Sequence, residues 1–192
     1  MDPFAYDRYE LRRKFFSVIH TDFFLHAPDG AIVLFGRKRG FRLKEDIRLW
    51  TSPSMDREVL SIQARGVLDF SATYDVIDSR EQRAIGAIRR KGLRSILRDE
   101  WILLDASDRQ VATLIEESAR LALVRRFLTN LVPQAFDVIV DGSPVATIRQ
   151  NFNPIRLRLA IDFSLDPGRR LDRRLAIAAA SLLATIEGRQ ED

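Results

Sequence analysis

The chain has no cysteine, which excludes disulfides, thiolate metal sites and cysteine nucleophiles, and leaves no residue for palmitoylation. Histidine occurs twice, as His20 and His26, and lysine four times, so 27 of the 31 basic residues are arginine. No GxSxG, HExxH, P-loop or GxGxxG motif is present. A bilayer-spanning helix needs about 20 apolar residues. The longest such stretch here, Leu175 to Ile186, has twelve before Glu187 and Gly188 end it, so no transmembrane helix is expected. The N-terminus, MDPFAYDRYELRRKFF, is charged and lacks the apolar segment of a signal peptide. A cytoplasmic protein is the expectation.

Two candidate chemistries fail on spacing. If one strand carries His20, Asp22 and His26, six residues at about 3.3 Å each separate the imidazoles by roughly 20 Å, too far for one metal ion. Neither a metal nor another cofactor is expected. Asp78, Asp99, Asp105, Asp108 and Asp141 fall at strand ends and turns, where aspartate serves backbone bonding rather than paired-carboxylate hydrolysis. The net charge of +4 over 192 residues is too small to indicate nucleic-acid binding. Aromatic residues do not interleave with the basic clusters as a single-strand platform requires.

What the chain does have is apolar patterning, 46% of residues against 30% charged, in the range of one globular domain spanning residues 1–192. Strands are expected at Tyr9–Ile19, Thr21–Ala27, Ala31–Phe35, Lys44–Thr51 and Arg57–Arg65. Further strands follow at Phe70–Ile77, Gln82–Arg89, Glu100–Ala106, Val111–Glu116, Phe136–Val140, Val145–Gln150 and Pro154–Ser164. Four hairpins share a format: an apolar strand, an Asp-containing turn, and a return core reading VLSI (59–62), AIGAI (84–88), VATLI (111–115) or VATI (145–148). This is a meander of about twelve antiparallel strands, closed or nearly so. One helical interruption is expected at Ser118–Leu131, where Leu121, Val124, Leu128 and Leu131 follow a helical period.

Within the last segment, Leu171–Glu187, the run from Leu175 to Ile186 is apolar on every side except for Ser181 and Thr185, so it must be surrounded. A twelve-stranded barrel leaves a lumen of roughly 10–12 Å, the width of one helix. Alanines 176, 178, 179, 180 and 184 keep the rod thin. The two hydroxyls can bond carbonyls one turn back. The expected architecture is mainly β (α+β): a closed barrel around a central helix at about 167–187.

This chain resembles the tubby C-terminal-like superfamily, within it the LURP-one-related and phospholipid-scramblase-like branch. The resemblance is carried by YELRRKFFSV (9–18), FFLHAPDGAIVLF (23–35), YDVID…AIGAIRRK (74–91), WILLDASDRQVATLIEES (101–118), FDVIVDGSPVATIRQ (136–150) and LAIDFS…DRRLAIAAASLLA at the C-terminus. It implies a closed barrel around a buried helix, no enzyme active site, and binding of phosphoinositide head groups at the cytoplasmic membrane face. The acidic calcium segment and cysteine-rich segment of the scramblases have no counterpart here, so lipid scrambling is not expected.

Arginine enrichment is what a GC-rich, bacterial genome produces, and arginine also suits bidentate phosphate recognition. Two clusters are candidates for binding anionic lipid. Arg37-Lys38-Arg39 lies between Gly36 and Gly40, followed by Arg42, and reads as an exposed turn. Arg89-Arg90-Lys91, followed by Arg94, closes a hairpin. Each base near an anionic bilayer contributes about 1 kcal/mol. Arg125 and Arg126 would form the basic face of the 118–131 helix. Arg169, Arg170, Arg173 and Arg174 oppose the dipole of the terminal helix, so pairing with Asp166 or Asp172 is expected. The expected partner is an anionic phospholipid surface or, alternatively, a protein.

Overall fold

Side chains of a β-strand alternate between two faces, and here one face of every strand turns inward around a single helix. The computed structural model describes residues 2–14, 19–40, 44–66, 72–91, 100–117, 134–151 and 157–186. The expected helix at 118–131, with Arg125 and Arg126, lies outside them. The strands are β1 (Arg8–Lys14), β2 (His20–His26), β3 (Ile32–Arg39), β4 (Asp46–Trp50), β5 (Glu58–Ala64) and β6 (Thr73–Asp78). They continue as β7 (Arg83–Arg90), β8 (Glu100–Asp105), β9 (Gln110–Glu116), β10 (Ala135–Val140), β11 (Ser143–Gln150) and β12 (Arg158–Asp162). The helix α1 (Arg173–Ile186) follows.

Each strand pairs antiparallel with its sequence neighbours, and β1 pairs with β12 to close the ring. The expected barrel is therefore the observed one. Because the meander is strict, its connections fall at two ends. The hairpins 27–31, 51–57, 79–82, 106–109 and 141–142 share one end with the segment 163–172 that leads into α1. The strand ends Lys14, Arg39, Ala64, Arg90, Glu116 and Gln150 lie at the opposite end.

The turn residues explain the hairpin end. Asp78 accepts the backbone N–H of Arg80 at 2.9 Å, and Asp105 accepts those of Ser107 at 2.8 Å and Arg109 at 3.0 Å. These aspartates serve their turns, as their positions implied. Bulges interrupt the β2–β3, β4–β5, β6–β7, β8–β9 and β10–β11 ladders next to these turns, sharpening the local twist that closure requires.

Leu175 through Thr185 of α1 are buried without exception. Ser181 Oγ donates to Ile177 O at 2.8 Å and Thr185 Oγ1 to Ser181 O at 3.0 Å, so neither hydroxyl is left unbonded. Leu175, Ile177, Leu182, Leu183 and the five alanines together bury apolar area worth on the order of 10 kcal/mol. That equals the whole net stability of an ordinary domain. The wall is fitted to the rod: a Cβ added to Gly86 would lie 2.1 Å from Leu104 O and 3.0 Å from Leu175 Cδ2.

The outer face of the wall is charged. Arg37 holds Asp22, Arg48 holds Asp46 and Glu58, and Arg65 reaches Asp75 at 2.7 Å and Asp108 at 2.6 Å. Pairs of this kind stabilise the wall by a few tenths to about 1 kcal/mol each.

Candidate functional site

The two expected basic clusters reach the same end of the barrel, opposite the hairpins, but not as two continuous patches. Gly36–Gly40 is not an exposed turn. Strand β3 runs through Arg39, because the ring of Phe23 from the paired position on β2 covers Gly36. A Cβ there would fall 2.0 Å from that ring, so the glycine admits an aromatic cap within a strand. Alternation then splits the cluster. Arg37 faces outward and is held bidentately by Asp22, Nε to Oδ1 at 2.7 Å and Nη2 to Oδ2 at 2.9 Å. Arg39 faces outward and is exposed, with Asp46 at 3.9 Å. Lys38 turns inward and is buried, its ammonium donating to Glu45 Oε1 at 3.0 Å and to Thr185 O at 3.3 Å.

The second cluster remains exposed throughout. Arg89 faces outward, Arg90 lies over the Trp101 ring at 5.6 Å, and Lys91 bonds Glu100 at 2.7 Å. Strands β4, β5 and β6 separate it from the first cluster along the wall. Arg42 and Arg94 lie outside the described residues.

Lys38 is therefore a helix cap rather than a surface base. Arg13 donates to Ala184 O at 3.2 Å beside it. The last turn of α1 has no basic residue of its own, so the wall supplies the two cations that complement its negative pole. Glu45 also accepts from the Tyr74 hydroxyl at 2.7 Å. Among the described residues, the exposed bases at this end are Lys14, Arg39, Lys44, Arg89, Arg90 and Lys91, while Arg65 is tied to Asp75 and to Asp108; the exposed acid is Glu117.

At the hairpin end, the arginines that precede and open α1 meet carboxylates. Arg170 stands 3.5 Å from Asp166, and Arg174 bonds Asp172 at 2.6 Å, the compensation expected of bases at a helix N-terminus. Asp172 caps the helix by accepting the N–H of Arg174 at 2.9 Å. Two further partners were not legible in sequence. Arg174 also donates to Asp78, 96 residues away, at 2.8 Å. Arg173 binds Asp7 and the carbonyls of Ala5 and Tyr6, fastening residues 2–7 across the mouth of the barrel.

Asp78 is fully buried and takes Arg80 Nη2 at 2.9 Å as well as Arg174. Burial alone would push its carboxyl up, but the two guanidinium groups and the Arg80 backbone N–H outweigh that and hold it down at about 2. Between residues 2–7, the 79–82 turn and the start of α1 lies a cleft of about 490 Å³ whose lining includes Arg80, Arg169, Arg170, Arg173 and Arg174.

His20 and His26 both sit on β2, with His20 Nε2 3.5 Å from Asp22 and His26 Nδ1 3.0 Å from Gly30 O. Among the described residues no group of three or more His, Cys, Asp or Glu is arranged to hold a metal ion, and no helix is long and apolar enough to cross a membrane. The sequence matches no family model and no curated protein.

Proposed function

We propose that the protein is a non-enzymatic module that docks reversibly on anionic phospholipid head groups through the basic end of its barrel. The observation that carries this reading is the charge asymmetry between the two ends: among the described residues, six exposed bases stand against one exposed acid where β3 and β7 finish. At about 1 kcal/mol per base near an anionic surface, the six together supply at most about 6 kcal/mol. That is comparable to one myristoyl chain, enough for reversible docking and too little for permanent anchoring. The charged outer wall supports attachment by one end rather than immersion, since a lipid-facing barrel presents an apolar band. A lumen filled by α1 leaves little interior for a substrate.

The closed barrel around a helix is also the architecture implied by the resemblance to the tubby-like superfamily, and we take the chain as a member of its LURP-one-related branch on that basis. Arg39, Arg89, Arg90 and Lys91 are the described members of the proposed surface. Lys38 and Arg37 stabilise the wall instead.

Vesicle flotation tests the reading. Phosphatidylcholine vesicles containing phosphoinositide or cardiolipin should carry the protein at physiological salt, with binding weakening as salt rises. The Arg39→Glu/Arg89→Glu/Lys91→Glu variant should lose most of it. A protein that ignores these vesicles would leave a protein-interaction role as the better account.

A further inference from the structure

Of the five arginines that line the hairpin-end cleft, Arg173 and Arg174 are held by Asp7, Asp78 and Asp172, whereas Arg80, Arg169 and Arg170 keep donors beyond their structural pairings. We propose that this cleft is a second anion site, separate from the basic end, that binds a compact phosphate-bearing ligand. Its volume, about 490 Å³, lies within the range of small-molecule sites.

Recognition rests on guanidinium groups that converge from separate parts of the chain. Arg80 comes from the β6–β7 turn, Arg169 and Arg170 from the segment before α1, and Arg173 and Arg174 from its first turn. Carboxylates set their orientation, and Asp2 and Asp172 line the cleft beside the arginines. Buried Asp78 holds Arg80 Nε and Nη2 together with Arg174 Nη1; the Arg80 guanidinium lies over the Phe4 ring at 5.9 Å, and its Nη1 has no carboxylate partner among the described residues. Arg170 has one carboxylate contact among the described residues, 3.5 Å to Asp166, and its side chain is 46% exposed. Arg169 has no carboxylate partner among the described residues; its Nη2 donates to Ala5 O at 3.1 Å.

These unfilled donors are what a multiply charged phosphate accepts bidentately. The helix terminus itself is not the recognising element, because Asp166 and Asp172 already take the N–H groups of Arg170, Leu171 and Arg174. Arg169 holds a left-handed backbone, φ 50°, in a turn closed by its N–H to Asp166 O at 3.1 Å.

Titration calorimetry with inorganic pyrophosphate at physiological salt tests the proposal. Saturable binding of one equivalent is expected, falling at least tenfold in Arg169→Gln/Arg170→Gln. The Arg89→Gln/Lys91→Gln variant, altered at the other end, should bind as the wild type does. Amide shifts in the unaltered protein should cluster at residues 80 and 166–174. Absence of saturable binding, shifts confined elsewhere, or equal affinity in Arg169→Gln/Arg170→Gln would overturn it. Flotation of that variant identifies the source of the phosphate. Retained vesicle binding with lost pyrophosphate binding assigns a soluble ligand, and loss of both assigns a lipid head group. Because the two ends carry different variants, failure here leaves the docking reading of the basic end standing.

Discussion

The two ends of the barrel solve the problem of a buried helix in opposite ways. At the hairpin end, balancing charge comes from the local segment and from distant strands: Asp172 and Asp166 precede the helix, while Asp78 and Asp7 arrive from β6 and the N-terminal segment. At the opposite end the helix contributes no charge to its last turn, and the wall delivers Arg13 and Lys38 to its carbonyls. The exposed charges differ as well. They are balanced where the hairpins turn and basic where β3 and β7 finish. One end is tied by mutual pairing, which leaves local pockets of spare donors; the other carries a net charge available to a surface.

The strongest way to break this comparison is to remove what the ends share. Truncation after Arg170 deletes burial worth on the order of 10 kcal/mol, as much as the domain's net stability. The product should be insoluble or unfolded by circular dichroism. A folded, soluble truncation would show that the wall stands without its helix.

Next in size is Asp78→Asn. It leaves Arg80 and Arg174 sharing a buried neutral amide, and loss of one member of such a network costs about 3–5 kcal/mol. Chemical denaturation should show the drop. The same carboxylate predicts an acid limb. Its folded value of about 2 lies below the ordinary 3.8, so its contribution is complete above about pH 4 and disappears as pH falls toward 2. The size is about 2 kcal/mol. Asp78→Asn should flatten that part of the stability–pH curve, and an unchanged slope would assign acid sensitivity to other groups.

Lys38→Met probes the opposite end. Methionine fills similar space but gives up the bonds to Glu45 and Thr185 O, for an expected loss of about 1–3 kcal/mol in denaturant midpoint experiments. Lipid flotation should survive, because this ammonium lies inside the wall. Loss of flotation in a folded Lys38→Met protein would return Lys38 to the docking surface. The smallest expected change is a gain. Arg169→Gly relieves a left-handed backbone and should raise stability by about 1 kcal/mol, while weakening pyrophosphate binding. A stability loss would show that the Arg169 bond to Ala5 O matters more than its strain.

Period-2 alternation and repeated turns made twelve strands, their order and the plug legible from the sequence. Ser181 and Thr185 even carried their own hydrogen-bond partners one turn back. The Gly36–Gly40 segment was misleading for a definite reason. Flanking glycines look like turn residues, yet Gly36 is in a strand because the bulk of Phe23 stands opposite it, and cross-strand neighbours are invisible to local reading. The same alternation that revealed the strands also meant that three consecutive bases could not share a face, which sends Lys38 to the interior. The hairpin-end cleft was legible in part. The bases at 169–174 and their acids Asp166 and Asp172 stand together in the chain, whereas Asp78, Arg80 and residues 2–7 join them through barrel closure alone.

Closure by β1 against β12 also has consequences for how the protein is made. The ring joins strands more than 140 residues apart, and the rod that fills it is translated after the last strand. Every earlier nascent intermediate exposes an unpaired strand edge and an empty apolar wall, the features that invite aggregation. Contacts of such high sequence separation make folding slow. Acquisition of structure should therefore be a single late event, dependent on chaperone protection until residue 186 leaves the ribosome.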